Sequence, residues 1–243
     1  MLTKKPTSLL IAIALLFVMG ACTQQQEIPE VTLDGDIITA SDQAALTPET
    51  ILQGLKDGNE RYINNDLTPT DYKAQIAATA SGQYPEAVIL SCIDSRVPVE
   101  QVFDKGVGDV FVARVAGNTV NPDILGSIEY GAAVAGSKLI VVMGHEACGA
   151  VKASIDKAQL SSNADVLLER VHPAIEAVKG YDADRSSGNA AFVDEVINTN
   201  VTMTIDEMLA ESPVLQGLLD NGEIMIVGAY YDLDTGKVTF VEN

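Results

Sequence analysis

Tryptophan is absent from this 243-residue chain, histidine occurs twice, cysteine three times, and Lys+Arg number 15 against 34 Asp+Glu. Each scarcity excludes something. A net charge of −19 repels phosphate backbones, so nucleic acid is excluded as a partner, as is electrostatic docking on anionic lipid. The acidic balance is read as a solubility device. The first long apolar stretch, Leu9 to Val18, is shorter than the ~20 residues of a membrane-crossing helix. It follows Lys4-Lys5 and precedes Met19-Gly20-Ala21-Cys22, the layout of an export signal.

A cysteine directly after Gly-Ala resembles the lipobox of bacterial lipoproteins. Residues 1–21 are therefore expected to be a lipoprotein-type signal peptide, with Cys22 the lipidated first residue of a mature chain anchored on the periplasmic side or cell surface. Its removal takes two of the 15 Lys+Arg and no acidic residue, leaving a net charge of about −21. Residues 22–46, rich in Gln, Glu, Asp and Thr without a helical period, read as a flexible tether with a reach of roughly 25 to 30 Å. Residues 47–243 suit one domain with a full core.

If Cys22 belongs to the anchor, only Cys92 and Cys148 remain in the body. In an oxidising compartment they are either a disulfide or metal ligands. Both follow apolar runs. "SCIDSRVP" comes after Ala87-Val88-Ile89-Leu90, and an extended backbone would point Cys92, Asp94 and Arg96 the same way. "GHEACGA" comes after Leu139 to Met143, and at a helix start His145 and Cys148, three apart, would share a face.

Short β-branched runs at 87–91, 110–115, 139–143 and 224–230 alternate with helical segments at 122–135, 147–158, 164–179 and 192–210, which predicts an α/β fold with a mostly parallel sheet flanked by helices. Val238 to Val241 follows the turn Asp234-Thr235-Gly236-Lys237 too closely to be anything but antiparallel. Helices are expected at 48–64, capped by Thr47, and at 71–80. A strand order of 2-1-3-4 would bring Cys92, His145 and Cys148 together at the switch point beyond the strand ends. Two thiolates and an imidazole suit zinc, with the fourth position left to Asp94, water or substrate. A closed structural site would need another ligand, and the second histidine, His172, stands before Pro173 at a helix start and reads as structural.

"CIDSRVP", "FVARVAGN" at 111–118, "SIEY" at 127–130, "GHEACGA" at 144–150 and "VGAYYDLDTGKV" at 227–238 together resemble the beta-class carbonic anhydrases, over roughly residues 48 to 243. Ile93 and Val115 depart from the family's frequent Ser and Asn. The resemblance implies a lyase that reversibly hydrates CO2 to bicarbonate and a proton by attack of hydroxide generated on zinc. It implies one Zn2+ per chain on Cys92, His145 and Cys148, and a catalytic Asp94–Arg96 dyad; in some members the Asp becomes a fourth ligand in an inactive state, which the sequence leaves open for Asp94. It also implies a substrate cleft of Gln83, Phe111, Ala116, Tyr130 and Gly149, and a homodimer or higher homo-oligomer built partly by an N-terminal helical arm, residues 48 to 80. Members with a bicarbonate pocket often carry Trp three residues before the first ligand; Ile89 stands there, so no such pocket is expected.

Two other readings are kept beside this one: a CS2 or COS hydrolase on the same scaffold, and a non-catalytic exported protein that stores zinc or is stabilised by a Cys92–Cys148 disulfide. Elsewhere the plainer reading is taken. Gly106-Val107-Gly108 is a turn rather than a phosphate loop, Glu146 is solvent-exposed, and Arg114 is a buried structural pair with Asp109 or Glu129.

Overall fold

Five apolar runs become strands in the computed structural model, which describes residues 37–241. They are β1 (Ala87–Ser91), β2 (Val110–Arg114), β3 (Leu139–His145), β4 (Met225–Tyr231) and β5 (Val238–Val241). The sheet order is β2-β1-β3-β4-β5, with the first four strands parallel and β5 antiparallel to β4. This is the expected 2-1-3-4 order with an antiparallel fifth edge strand. The final hairpin closes because Asp232 Oδ1 accepts the amides of Asp234 and Thr235 and Gly236 takes the left-handed φ of 76° that the turn requires.

Helices follow in order: α1 (Ala40–Ala45), α2 (Pro48–Ile63), α3 (Tyr72–Thr79), α4 (Val99–Val102), α5 (Pro122–Glu129), α6 (Gly149–Ile155), α7 (Ser162–Glu169), α8 (His172–Ala177), α9 (Ala190–Glu211) and α10 (Pro213–Asp220). Because β1 and β3 are covered on both faces, they read as unbroken apolar runs rather than alternating ones. One face sets Ile89, Leu139, Val141 and Val227 against Ile51, Leu52 and Leu55 of α2. The other sets Val88, Leu90, Ile140, Val142 and Ile226 against Ile128 and against Val201, Ile205 and Met208 of α9. Both layers leave the carboxyl ends of β1 and β3 side by side.

Thr47 caps α2 with Pro48 at its first turn, as expected. The helix lies on the sheet of its own chain. Gly58 makes this approach feasible, since a Cβ there would stand 2.0 Å from the Phe103 carbonyl oxygen. Asn59, buried, donates to Val102 O and Gly236 O and accepts the Val238 amide, tying the arm to the final hairpin.

Three expectations change. The signal segment 1–21, Cys22 and the start of the tether lie outside the described residues, but the tether's end is ordered against the body. Thr39 caps α1, Gln43 Nε2 donates to the carbonyls of Pro85 and Ala135 at 2.7 and 2.9 Å, and Lys138 Nζ donates to Ala44 O and Leu46 O. The helix expected at 164–179 is broken into α7 and α8, because a proline at 173 has no N–H for a continuing helix and its ring would crowd the carbonyl a turn earlier. The segment 122–135 ends in a π turn, Tyr130–Val134. α4 and α10 are short, and neither was signalled by a long apolar period.

Candidate active site

Cys92 follows the last residue of β1, and His145 is the last residue of its neighbour β3, where Ser91 is in register with Met143. Parallel pairing thus delivers the two ligands to one spot. Cys148 joins them through a turn, not along a helix face as expected. His145 is still strand, paired with Tyr231, so the chain must reverse within two residues. Ala147 does this at a left-handed φ of 53°, and Cys148 becomes the cap of α6.

The ligand atoms of Cys92, His145 and Cys148 lie within 4.8 Å of one another, and all three residues are buried. This is the one such cluster among the described residues. The two sulfurs are 4.0 Å apart and both thiols are free. A disulfide requires about 2.05 Å. Two metal–sulfur bonds of about 2.3 Å at a tetrahedral angle place the sulfurs about 3.8 Å apart, so the observed spacing fits a shared ion and not a bond. His145 Nδ1 faces the Glu146 carbonyl at 2.9 Å, which fixes the proton on that nitrogen and leaves the Nε2 lone pair toward the sulfurs. Nε2 is buried and has no hydrogen-bond partner. A buried polar atom left bare is costly unless something else binds it.

The thiols titrate as a pair. Cys92 is driven well below the usual thiol range, first by the hydrogen bond from Cys148 and also by the Gly117 amide. Cys148 is driven up by the same neighbour and by burial. A positive ion between them is what would let both be thiolates.

Asp94 and Arg96 meet, but not by extension of β1. Residues 95 and 96 form a turn in which Asp94 Oδ1 accepts the Arg96 amide at 2.9 Å, and Val97 N donates to Asp94 O. The guanidinium then forks onto the same carboxylate, Nε to Oδ1 at 2.9 Å and Nη2 to Oδ2 at 2.7 Å. Arg96 in this way holds Asp94 far below the ordinary carboxylate range, so it is an acceptor at any working pH. Its Oδ2 stands 3.8 Å from His145 Nε2.

Arg114 departs from expectation. It is exposed, and it bonds no carboxylate. Its Nε donates to Cys92 O at 2.9 Å and its Nη2 to Asp94 O at 2.6 Å, clamping the loop that carries both functional groups. The register explains it, since Arg114 ends β2 opposite Ser91. Glu146 also departs: it is half-buried, its carboxylate accepts the Leu233 amide at 3.0 Å, and its own amide donates to Tyr231 O. The ligand turn is thereby tied to the final hairpin. No single-residue pattern in the sequence signals either role, because both partners are main-chain groups from distant elements.

The cleft residues divide into two groups. Gly149 follows Cys148 directly, and Ala116 precedes Gly117, whose amide points at Cys92 Sγ from 3.4 Å. The other three are remote from the ligands of their own chain. Phe111 is in register with Val88, four residues before Cys92, or about 13 Å along the strand. Tyr130, 58% exposed, lines a groove with Phe111 and Ile124 over the β2 edge. Gln83 is exposed and precedes β1, at the opposite strand end from Cys92. His172 is half-buried at the start of α8 and outside the cluster.

The family described as carbonic anhydrase matches residues 87–238. Carbonic anhydrase 2 of Mycobacterium tuberculosis is 36% identical over 195 residues, covering 78% of this chain and 91% of that one. Among solved structures, the Coccomyxa beta-carbonic anhydrase in complex with acetazolamide superposes with a TM-score of 0.61 at 25% identity, over 78% of this chain and 84% of that one. A tetrameric beta-carbonic anhydrase of Sordaria macrospora shares the fold with a TM-score of 0.61 at 23% identity, over 80% of this chain and 98% of that one. Strand order, the Cys-His-Cys cluster and these likenesses agree: the chain belongs to the beta-class carbonic anhydrase family, enzymes that hydrate CO2 to bicarbonate.

Proposed function

We propose that CO2 hydration in this protein runs on one zinc ion held by Cys92, His145 and Cys148, with Asp94 and Arg96 as the catalytic dyad. The observation that carries this reading is the bare, buried Nε2 of His145 beside two sulfurs 4.0 Å apart. Zinc bound there would supply hydroxide near neutral pH by lowering the pKa of water from 15.7 to about 7.

The chain's own residues do the rest. Asp94 is ionised, so it accepts the hydrogen of the attacking oxygen and turns that oxygen's lone pair toward carbon. Arg96 holds both carboxylate oxygens and prevents Asp94 from rotating. With Arg96 in place the carboxylate is held beside the ligand cluster, Oδ2 3.8 Å from His145 Nε2; release of that fork is the motion that would let Asp94 become a fourth ligand. Val151, Val171, Phe192 and Ile197 pack around the two cysteines and keep bulk water from the far side of the site. CO2, which has little to offer hydrogen-bond donors, suits an apolar approach.

Gln83, Phe111 and Tyr130 enter this reading through a second copy of the chain. β2 is an edge strand whose residues are half-buried or exposed, and cleft residues that lie far from their own ligands can line the neighbour's site when two edges meet. The tetrameric relative from Sordaria macrospora agrees with assembly. Size-exclusion chromatography with light scattering tests it; a fully active monomer removes these three residues from the site.

Export and anchoring through Cys22 complete the proposal, supported by Lys4-Lys5, the apolar Leu9 to Val18 and Gly20-Ala21-Cys22. Metabolic labelling with a fatty acid should mark the wild type and not Cys22→Ser. The activity is tested by stopped-flow CO2 hydration across pH 6 to 9, with zinc quantified in the same sample and CS2 and COS assayed beside it. One zinc per chain with CO2 turnover is the expected result. Turnover of CS2 or COS alone, or a metal-free protein, would reject it.

A further inference from the structure

We propose that Asn200, in the middle of α9, is a positioning residue for the Cys92 sulfur, acting through Gly117. The proposal rests on the reading of Cys92 as a zinc ligand. Its basis is a two-step hydrogen-bond chain. Asn200 Nδ2 donates to the Gly117 carbonyl at 2.9 Å, and the Gly117 amide donates to Cys92 Sγ at 3.4 Å.

The segment between these bonds has one bond of its own, Asn118 N to Val115 O at 3.0 Å, and an unusual backbone. Residues 116–118 form a three-residue 3-10 turn, and both Gly117 and Asn118 take left-handed conformations, with φ of 76° and 44°. Such a conformation is unfavourable for Asn118 and persists where its surroundings impose it. Gly117 has no side chain to restrict its rotation. Its amide and its carbonyl belong to neighbouring peptide planes hinged at one Cα, so anchoring the carbonyl limits where the amide can point.

Asn200 is placed for that task and is difficult to explain otherwise. It is 3% exposed, on a helix face whose other buried residues include Val196, Ile197 and Val201. An apolar residue would serve packing there as well, and a buried amide is tolerated because it is bonded. Its partner is the carbonyl of the residue whose amide is directed at the Cys92 sulfur. An N–H aimed at a thiolate draws charge from the sulfur and fixes its direction, and groups behind a metal ligand typically change affinity or activity 10- to 100-fold when removed.

The test uses full-length, metal-loaded protein. Asn200→Leu keeps the volume and removes the donor. Thr204→Val, in the same helix and equally buried at 3% exposure, is the comparison for a merely structural loss. Zinc release to a chelator is followed for each, together with the thiolate-to-cobalt charge-transfer band of the Co2+-substituted proteins. Asn200→Leu should release zinc at least about tenfold faster and shift the cobalt band, whereas Thr204→Val should do neither. Unchanged release and an unchanged band in folded Asn200→Leu overturn the proposal, as do equal changes in Thr204→Val. If Asn200→Leu does not fold, Asn200→Ala replaces it, and the wild type loaded with cadmium-113 supplies an independent reading. Coupling between the Gly117 amide proton and cadmium is expected, and its absence overturns the proposal. A wild type that binds no metal overturns the zinc reading and this inference with it; a metal-loaded wild type with an indifferent Asn200→Leu overturns this inference alone.

Discussion

The sulfur of Cys92 lies 4.0 Å from the sulfur of Cys148, across 56 residues of sequence. That spacing fits two ligands of one ion and is about twice a disulfide bond. Cys148→Ser should therefore lose both zinc and CO2 hydration, to below a thousandth of wild-type kcat/KM, while far-ultraviolet circular dichroism stays native. Thiol titration of the denatured, metal-stripped wild type should count both body cysteines as free. A count of zero would mean a disulfide and would remove the metal site.

Arg96→Lys tests the fork on Asp94. A lysine has one nitrogen and cannot hold both carboxylate oxygens, so Asp94 should wander from its aim. Turnover should fall about a hundredfold, as misplacement of a catalytic group by an ångström does, with zinc content unchanged. An Arg96→Lys enzyme with wild-type turnover would show that orientation of Asp94 is not limiting.

Arg114→Met removes the clamp on the Cys92 and Asp94 carbonyls. Because the side chain is exposed, the melting temperature should move by only a few degrees, while kcat drops about tenfold. The pairing of a near-native melting curve with reduced kcat is the signature; full activity would reduce Arg114 to a surface residue.

Lys105→Met tests an ion pair at the other end of the sheet, where Lys105 Nζ lies 2.6 Å from Glu86 Oε1 and both side chains are largely buried. Burial raises the Glu86 pKa above 4.5, opposed by Lys105, and the half-buried Asp109 shifts the same way. A carboxyl whose folded pKa is raised binds more protons folded than unfolded. Stability therefore falls as pH rises from the unfolded pKa through the folded one. Without Lys105 that fall should deepen, to about 3 kcal/mol at pH 8, and shrink toward pH 5 as Glu86 takes up its proton. Urea unfolding at both pH values measures it; an equal loss at pH 5 and pH 8 would contradict the assignment.

The strands were legible because a sheet covered on both faces demands unbroken apolar runs, and each of β1 to β4 begins within a residue of where such a run begins. α2 was legible from Thr47 and Pro48, whose capping chemistry is local. The break between α7 and α8 was partly legible, since Pro173 was seen as a helix start while the period continued across it. α1 was not legible: its polar residues have no period, and what orders them is the pair of carbonyls, from Pro85 and Ala135, that Gln43 reaches.

At the site, the sequence by itself determined which atoms are available: two body cysteines, one histidine after a strand, and a carboxylate and guanidinium two residues apart. Those are properties of residue type and spacing, and chemistry limits what such a set can do. Only the tertiary structure decided how they are held. It put Arg114 on two carbonyls, Glu146 on the Leu233 amide and Asn200 on Gly117, and it separated Phe111 and Tyr130 from the ligands of their own chain. The physical reason is that the partners in each case are main-chain groups or register positions, which carry no residue-specific mark and come together only when the strands and helices have packed.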